Sequence, residues 1–251
     1  MTEPAIHSAE NSHSEPAVIL EGISKIFGRF AALHDLTITL PAGRLYALLG
    51  ENGAGKTTLL RIIAGLSRPS RGTLSLLGSK DVRAAGHRIG YMAHATLLYD
   101  ELTARENLDY FAGLYAPRPV ANREELLDAV GLANVDINRR VGQYSQGMKQ
   151  RLALARAMLS SPDLLLLDEP FSNVDAKSIT AMAALLGRLR DRGATLIVIT
   201  HQIQALATVV DEWITLHAGA IVQREATHAL PPVRVPDAQA PASVPRARGQ
   251  Q

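Results

Sequence analysis

The chain has 251 residues, 47% of them hydrophobic and 20% charged, with a formal net charge of +2 at pH 7 and no cysteine. That length allows one large or two small domains with a sizeable core, and the lack of cysteine excludes disulfides, thiolate metal sites and cysteine nucleophiles. The charge is too small to argue for nucleic acid, and no apolar run approaches the roughly 18–20 residues that span a bilayer.

Residues 1–16 are polar and acidic, with Glu3, Glu10 and Glu15, and lack the apolar stretch of a signal peptide. They read as a tail that does not fold, and so does 229–251, a Pro-, Ala- and Arg-rich segment carrying Arg234, Arg246 and Arg248 against Asp237. If the protein works at a membrane, another chain supplies the spanning helices. Between the tails, VILEG (18–22), Leu36–Leu40 and Thr73–Leu77 alternate in part and are separated by turn residues, which predicts an antiparallel sheet near the N-terminus. LYALL (45–49), Leu164–Leu167 and Thr195–Ile199 are short unbroken apolar runs, the pattern of buried parallel strands. Residues 56–66, 104–116, 122–130, 148–159 and 176–190 carry helical spacing, with Gly131 placed as a C-cap. In the fourth of these, Met148, Leu152, Ala155 and Leu159 fall on one face. The helical part, about 95–160, therefore sits inside an α/β framework.

Gly50-Glu51-Asn52-Gly53-Ala54-Gly55-Lys56-Thr57, with Thr58 next, fits G-x-x-x-x-G-K-[ST] at every fixed position. It also lies between a buried strand and a helix, the context the motif requires. Glycines let the backbone curl so that successive N–H groups point inward at the positive end of the helix, which is where phosphate binds. Lys56 places a charge at the β- and γ-phosphates of a nucleotide, and Thr57 offers a hydroxyl to Mg²⁺. A second strand, LLLLDEP, ends in Asp168 and Glu169. Asp168 is the candidate holder of Mg²⁺, through water, and Glu169 the candidate general base for an attacking water. Alone, each acid would pass for a solvated loop carboxylate; beside the phosphate loop the pair is specific.

Over about residues 17–228 the sequence resembles the ATP-binding subunits of ABC transporters. Phe27, in SKIFG, matches the aromatic that stacks on adenine; YSQGM (144–148) matches the signature usually written L-S-G-G-Q; SNVD (172–175), with Asp175, matches the loop after the catalytic glutamate; and His201 matches the switch histidine at the γ-phosphate. The resemblance implies an α/β P-loop NTPase with a RecA-like core, an N-terminal antiparallel β-subdomain and an inserted helical subdomain. It implies ATP and Mg²⁺ as ligands, with Glu169, His201 and Lys56 as catalytic groups. It also implies that Ser145, Gln146 and Gly147, at the start of an amphipathic helix, cap the γ-phosphate held by a second copy of the chain. The partners implied are that second subunit and an integral membrane transporter subunit, with no nucleic acid, at the cytoplasmic face of a bacterial inner membrane.

Two motifs depart from the family's usual pattern. The signature has Gln146 and Met148 where Gly and Gln are common. His94, in IGYMAH, stands where the family has glutamine near Mg²⁺. Neutral imidazole either ligates a metal or holds a water, and histidine titrates near neutral pH where glutamine does not. A lone loop histidine is otherwise a plain surface residue. The segment Gly90–Tyr115 resembles the ATP-binding subunit of bacterial heme exporters of cytochrome c maturation; drug and antibiotic exporter ATPases have similar signatures. ABC ATPases that act on DNA or ribosomes carry long coiled coils or a second cassette. The stretch between phosphate loop and signature here has room only for a small helical subdomain.

Overall fold

A computed structural model describes residues 15–227 apart from 117 and 137. The expectation for the tails therefore falls, but for residues 15 and 16, outside the described residues.

In chain order, β1 (Val18–Phe27) and β2 (Phe30–Leu40) form a hairpin, followed by β3 (Leu45–Leu49), α1 (Lys56–Ile63) and β4 (Arg71–Leu76). Next come the short α2 (Val82–Ala85), β5 (Ile89–Met92), α3 (Ala104–Gly113), α4 (Arg123–Ala129) and α5 (Gln146–Ala157). The chain continues through β6 (Leu164–Asp168), α6 (Ala176–Asp191), β7 (Thr195–Ile199), the short α7 (Ile203–Leu206), β8 (Glu212–His217) and β9 (Ala220–Ala226). The hairpin and β4 make the expected antiparallel sheet, in the order β2-β1-β4. The three apolar runs are buried and lie in a second, six-stranded sheet, β5-β6-β7-β3-β8-β9. In that sheet every neighbouring pair is parallel except β8 with β9.

The six-stranded sheet divides the apolar interior. Alternate residues of each central strand serve opposite faces. Tyr46, Leu48, Leu164, Leu166, Ile197 and Ile199 pack with α1 and the antiparallel sheet. Leu45, Ala47, Leu165, Leu167, Leu196 and Val198 pack with α3, α4, α5 and α6. Covering on both faces is why these strands read as unbroken apolar runs rather than alternating ones.

Several helices begin where short polar residues cap them. Thr103 and Glu106 form a capping box on α3, Asn122 caps α4, and Asp175 caps α6 through the Ser178 amide. Gly131 (φ 71°) ends α4 as expected: its N–H bonds Asp128 O and the Leu132 N–H bonds Leu127 O, the paired closure of a left-handed C-cap.

Two expectations need correction. The first strand is twice as long as the alternation of VILEG indicated, because register shifts between Leu20 and Ile26 break the period while pairing continues. The helix after the signature does not have a single apolar face. Leu152, Ala153, Leu154, Ala155 and Ala157 are all buried around it. Its polar side chains are spent on hydrogen bonds to neighbouring carbonyls: Gln150 to Glu169, Arg151 to Gly131, and Arg156 to Thr96 and Leu97.

Candidate nucleotide site

Four adjacent parallel strands, β5, β6, β7 and β3, end on one edge of the sheet. The chain leaving each carries a candidate residue: His94 after β5, Asp168 and Glu169 at the end of β6, His201 after β7, and the phosphate loop after β3. Ligands of open α/β sheets bind at this carboxyl edge. Here a cleft of about 710 Å³ is lined by Lys56, Thr57, His94, Asp168, Glu169 and His201 together with Asn52, Gly53 and Ala54.

The loop is shaped by its glycines. Gly50 has φ 141°, and a Cβ there would lie 2.2 Å from the Leu216 carbonyl oxygen, so no larger residue fits. The chain then enters α1 with Gly55 as N-cap and no side-chain cap. The first N–H groups of α1 are thus left for an anion rather than satisfied from within. Glu51 is exposed, while Thr58 on α1 is half-buried. Lys56 is buried, and its ammonium donates to the carbonyls of Gly50 (2.7 Å) and Glu51 (2.9 Å). Burial pushes its pKa down, against the pull of Glu169 and Asp168.

Thr57 donates its hydroxyl to Asp168 Oδ2 at 2.9 Å, joining the loop to β6. A hydroxyl and a carboxylate in contact, beside phosphate oxygens, are the hard oxygen donors that Mg²⁺ takes. The residues therefore fit that ion. Among the described residues no group of three His, Cys, Asp or Glu side chains is placed to hold a metal.

Glu169 sits in the left-handed region, φ 54°, directly after a fully buried strand. Its turn is fixed from three sides. Its amide donates to Ile199 O, its carbonyl accepts from Gln150 Nε2 at 2.7 Å, and its Oε2 accepts from the His201 amide at 3.3 Å. Its Oε1 is buried with no hydrogen bond and lies 3.4 Å from His201 Nε2. Burial raises the Glu169 pKa above the usual carboxylate range, with His201 opposing. A carboxylate with a free buried oxygen and a raised pKa has the attributes of a general base.

The remaining candidates lie elsewhere. Phe27 is 53% exposed at the β1–β2 turn, under the Lys25 ammonium, 5.0 Å from its ring centre. Ser145 caps α5 by accepting from the Met148 amide; Ser145 and Gln146 are exposed and do not line the cleft. A Cβ on Gly147 would meet the Asn173 carbonyl at 2.8 Å, so the signature packs directly on the loop after Glu169. Ser172, the first residue of SNVD, also lines the cleft, and sequence reasoning passed over Arg61 and Gln202, which line it too, and Gln150. Arg61 had a signal: it lies one helical turn after Thr57 on α1, hence on the same face.

The family model for ABC transporters matches residues 33–172. The chain belongs to the ABC transporter family. This ABC transporter chain is 36% identical over 206 residues to the ABC transporter ATP-binding protein NatA of Bacillus subtilis, across 79% of its own length and 83% of that protein. It is 36% identical to the Nod factor export ATP-binding protein I of Rhizobium johnstonii, across 89% of its length and 73% of that protein. Proteins named for zinc or sulfate/thiosulfate import match at similar identity. Among solved structures, the dimeric post-hydrolysis state of the ATP-binding cassette MJ0796, bound to ADP and Pi, superposes with a TM-score of 0.77 at 26% identity, over 84% of this chain and 99% of that one. The ABC transporter chain is thus an ATP-binding subunit of the P-loop type, and the MJ0796 cassette it resembles is a dimer.

Proposed function

We propose that this subunit hydrolyses ATP at two sites shared between two copies, each site made of one copy's cleft and the other's signature, and that it drives a heme exporter. The observation that supports the division of labour is the convergence of four strand ends on one cleft while Ser145, Gln146 and Gly147 stay outside it. In this reading Lys56 leaves its loop carbonyls for the phosphates. Thr57 and Asp168 hold Mg²⁺, which when bound draws charge from the phosphate oxygens. Glu169 takes a proton from the attacking water at Oε1, and His201, beside it, faces the γ-phosphate. Asp175 holds the start of α6, and so the loop that Gly147 touches. Phe27 stacks on adenine. His94 holds a water at the metal side of the cleft, a role that suits imidazole better than ligating a hard cation.

No described helix is long and apolar enough to cross a membrane, which accords with a peripheral subunit docked on a membrane partner. The narrower assignment rests on Gly90–Tyr115, with His94, and its likeness to heme exporter subunits. Deleting the gene should abolish heme-stained c-type cytochromes in its host. Normal staining would shift the assignment to another exporter, of which the similarity to a Nod factor export protein is one pointer.

A further inference from the structure

Arg156 is the residue the proposed chemistry does not use and the fold does not explain. It lies near the end of α5, 8% exposed. Among the described residues it belongs to none of the ion pairs. Burying a charge without a counter-charge is costly unless its donors are satisfied. Here the same nitrogen, Nη1, donates to Thr96 O (2.9 Å) and Leu97 O (3.0 Å), and the guanidinium lies over Phe111, 5.0 Å from the ring centre. Burial pushes its pKa down, but a guanidinium keeps its charge at any working pH.

The acceptors are the informative part. Thr96 and Leu97 follow His94 in the stretch that runs from β5 to α3. Among the described residues, Ala95–Leu98 make no backbone–backbone hydrogen bond outside helices and strands, and Leu97 is left-handed at φ 52°. Within that stretch Arg156 holds Thr96 and Leu97 from behind, while the buried Asn107 ties Tyr99 further along. The same helix begins at Ser145 and fixes the Glu169 carbonyl through Gln150. One helix therefore grips both segments that flank the cleft.

We infer that Arg156 is a positioning residue that sets the His94 segment against the nucleotide cleft and ties it to the helix that begins with the signature. The inference rests on the reading of His94 as a cleft group. Lysine keeps the charge but not the planar guanidinium that stacks on Phe111 while its Nη1 bridges the two carbonyls, so Arg156→Lys loosens the segment while sparing the fold. Arg156→Met, which strands both carbonyls, gives the larger loss.

The test uses the full chain with its membrane partner for rates and the isolated chain for spectroscopy. In Arg156→Lys, kcat should fall about tenfold, the cost of a site group displaced by a fraction of an ångström, while KM for ATP stays within about twofold because the phosphate loop is untouched. In a His94→Ala background the same substitution should add less than about twofold. The His94 ring signal in proton NMR, assigned by its loss in His94→Ala, should move on adding ADP with Mg²⁺ in the parent and move by less than half as much in Arg156→Lys. A full additional loss in the His94→Ala background, or a His94 response unchanged in Arg156→Lys, overturns the inference. A His94→Ala protein with the parent kcat would sink the reading of His94 instead, and the NMR comparison would then decide Arg156 alone.

Discussion

Two helices of this chain begin at the phosphate loop and at the signature, and they differ in what their N-termini leave over. At α1 the cap is Gly55, which offers no side chain. The loop before it curls around empty backbone donors, and Lys56 is buried beneath. At α5 the cap is Ser145, whose hydroxyl already accepts from the Met148 amide, and the flanking Gln146 is exposed. The first terminus is a cradle closed by its own chain; the second is a surface patch, which in the proposed dimer meets a phosphate held by the other copy. In the proposed shared site, two half-sites of unequal completeness favour a subunit that associates when its ligand is present and separates when it is gone.

The sharpest way to break this comparison is at the complete half. Glu169→Gln removes the base and leaves the cradle, so kcat should fall about 10²–10⁴-fold with MgATP affinity kept. Lys56→Ala does the reverse, weakening MgATP binding about 10- to 100-fold, the worth of a hydrogen bond to a charged group. Steady-state ATPase and equilibrium binding separate them; parent-rate hydrolysis by Glu169→Gln would remove the assigned base. The incomplete half is tested by assembly. With MgATP, Glu169→Gln should shift in light scattering from monomer to dimer, and adding Ser145→Arg, which crowds the patch, should abolish that shift without changing MgATP binding to the monomer. A mass that does not respond to nucleotide in the first variant would count against the shared site. Phe27→Ala should raise KM for ATP only a few-fold, about 0.5–1.5 kcal/mol of stacking, with kcat unchanged. An unchanged KM would return Phe27 to an exposed hairpin side chain.

The closed half was also the legible half. LYALL and TLIVI are strands with the bounds their apolar runs gave, because burial on both faces leaves no polar position to blur the ends. The phosphate loop and the Asp168–Glu169 pair are local strings, and the 2.9 Å contact of Thr57 with Asp168 joins them. Strand β5 went unread because it is four residues long and contains Gly90, where a Cβ would meet Ala157 O at 2.2 Å. Strand β8 begins with a buried Glu212, neutralised by Arg224 at 2.6 Å from the neighbouring strand. That cross-strand pair masks an otherwise apolar run. Gln150 and Arg156 are not among the face residues that the helical spacing picks out, and their acceptors are carbonyls far along the chain that carry no sequence signal.

The smallest effect reaches the closed half through its stability. Burial raises the Glu169 pKa in the folded chain above its unfolded value, with His201 and Lys56 opposing and Asp168 adding to it. Below the unfolded value both states hold the proton, and the group contributes nothing. As pH rises between the two values, the unfolded chain ionises first, so above that window the buried carboxylate destabilises the fold. Glu169→Gln cannot ionise and keeps an acceptor for the His201 amide. Its Tm should therefore exceed the parent's at neutral pH, and the difference should shrink to nothing as pH falls through the window to below the ordinary carboxylate range. Lys56 draws the pKa down, so in a Lys56→Ala background the neutral-pH gain should grow. Ser145→Ala, which only removes a cap at the exposed half, should lower Tm by the same amount at every pH. Thermal unfolding followed by circular dichroism from about pH 3 to 8 gives all of these. A Glu169→Gln difference that stays constant across that range would mean that packing, not the buried charge, sets it, and the raised pKa assigned to the base would fall with it.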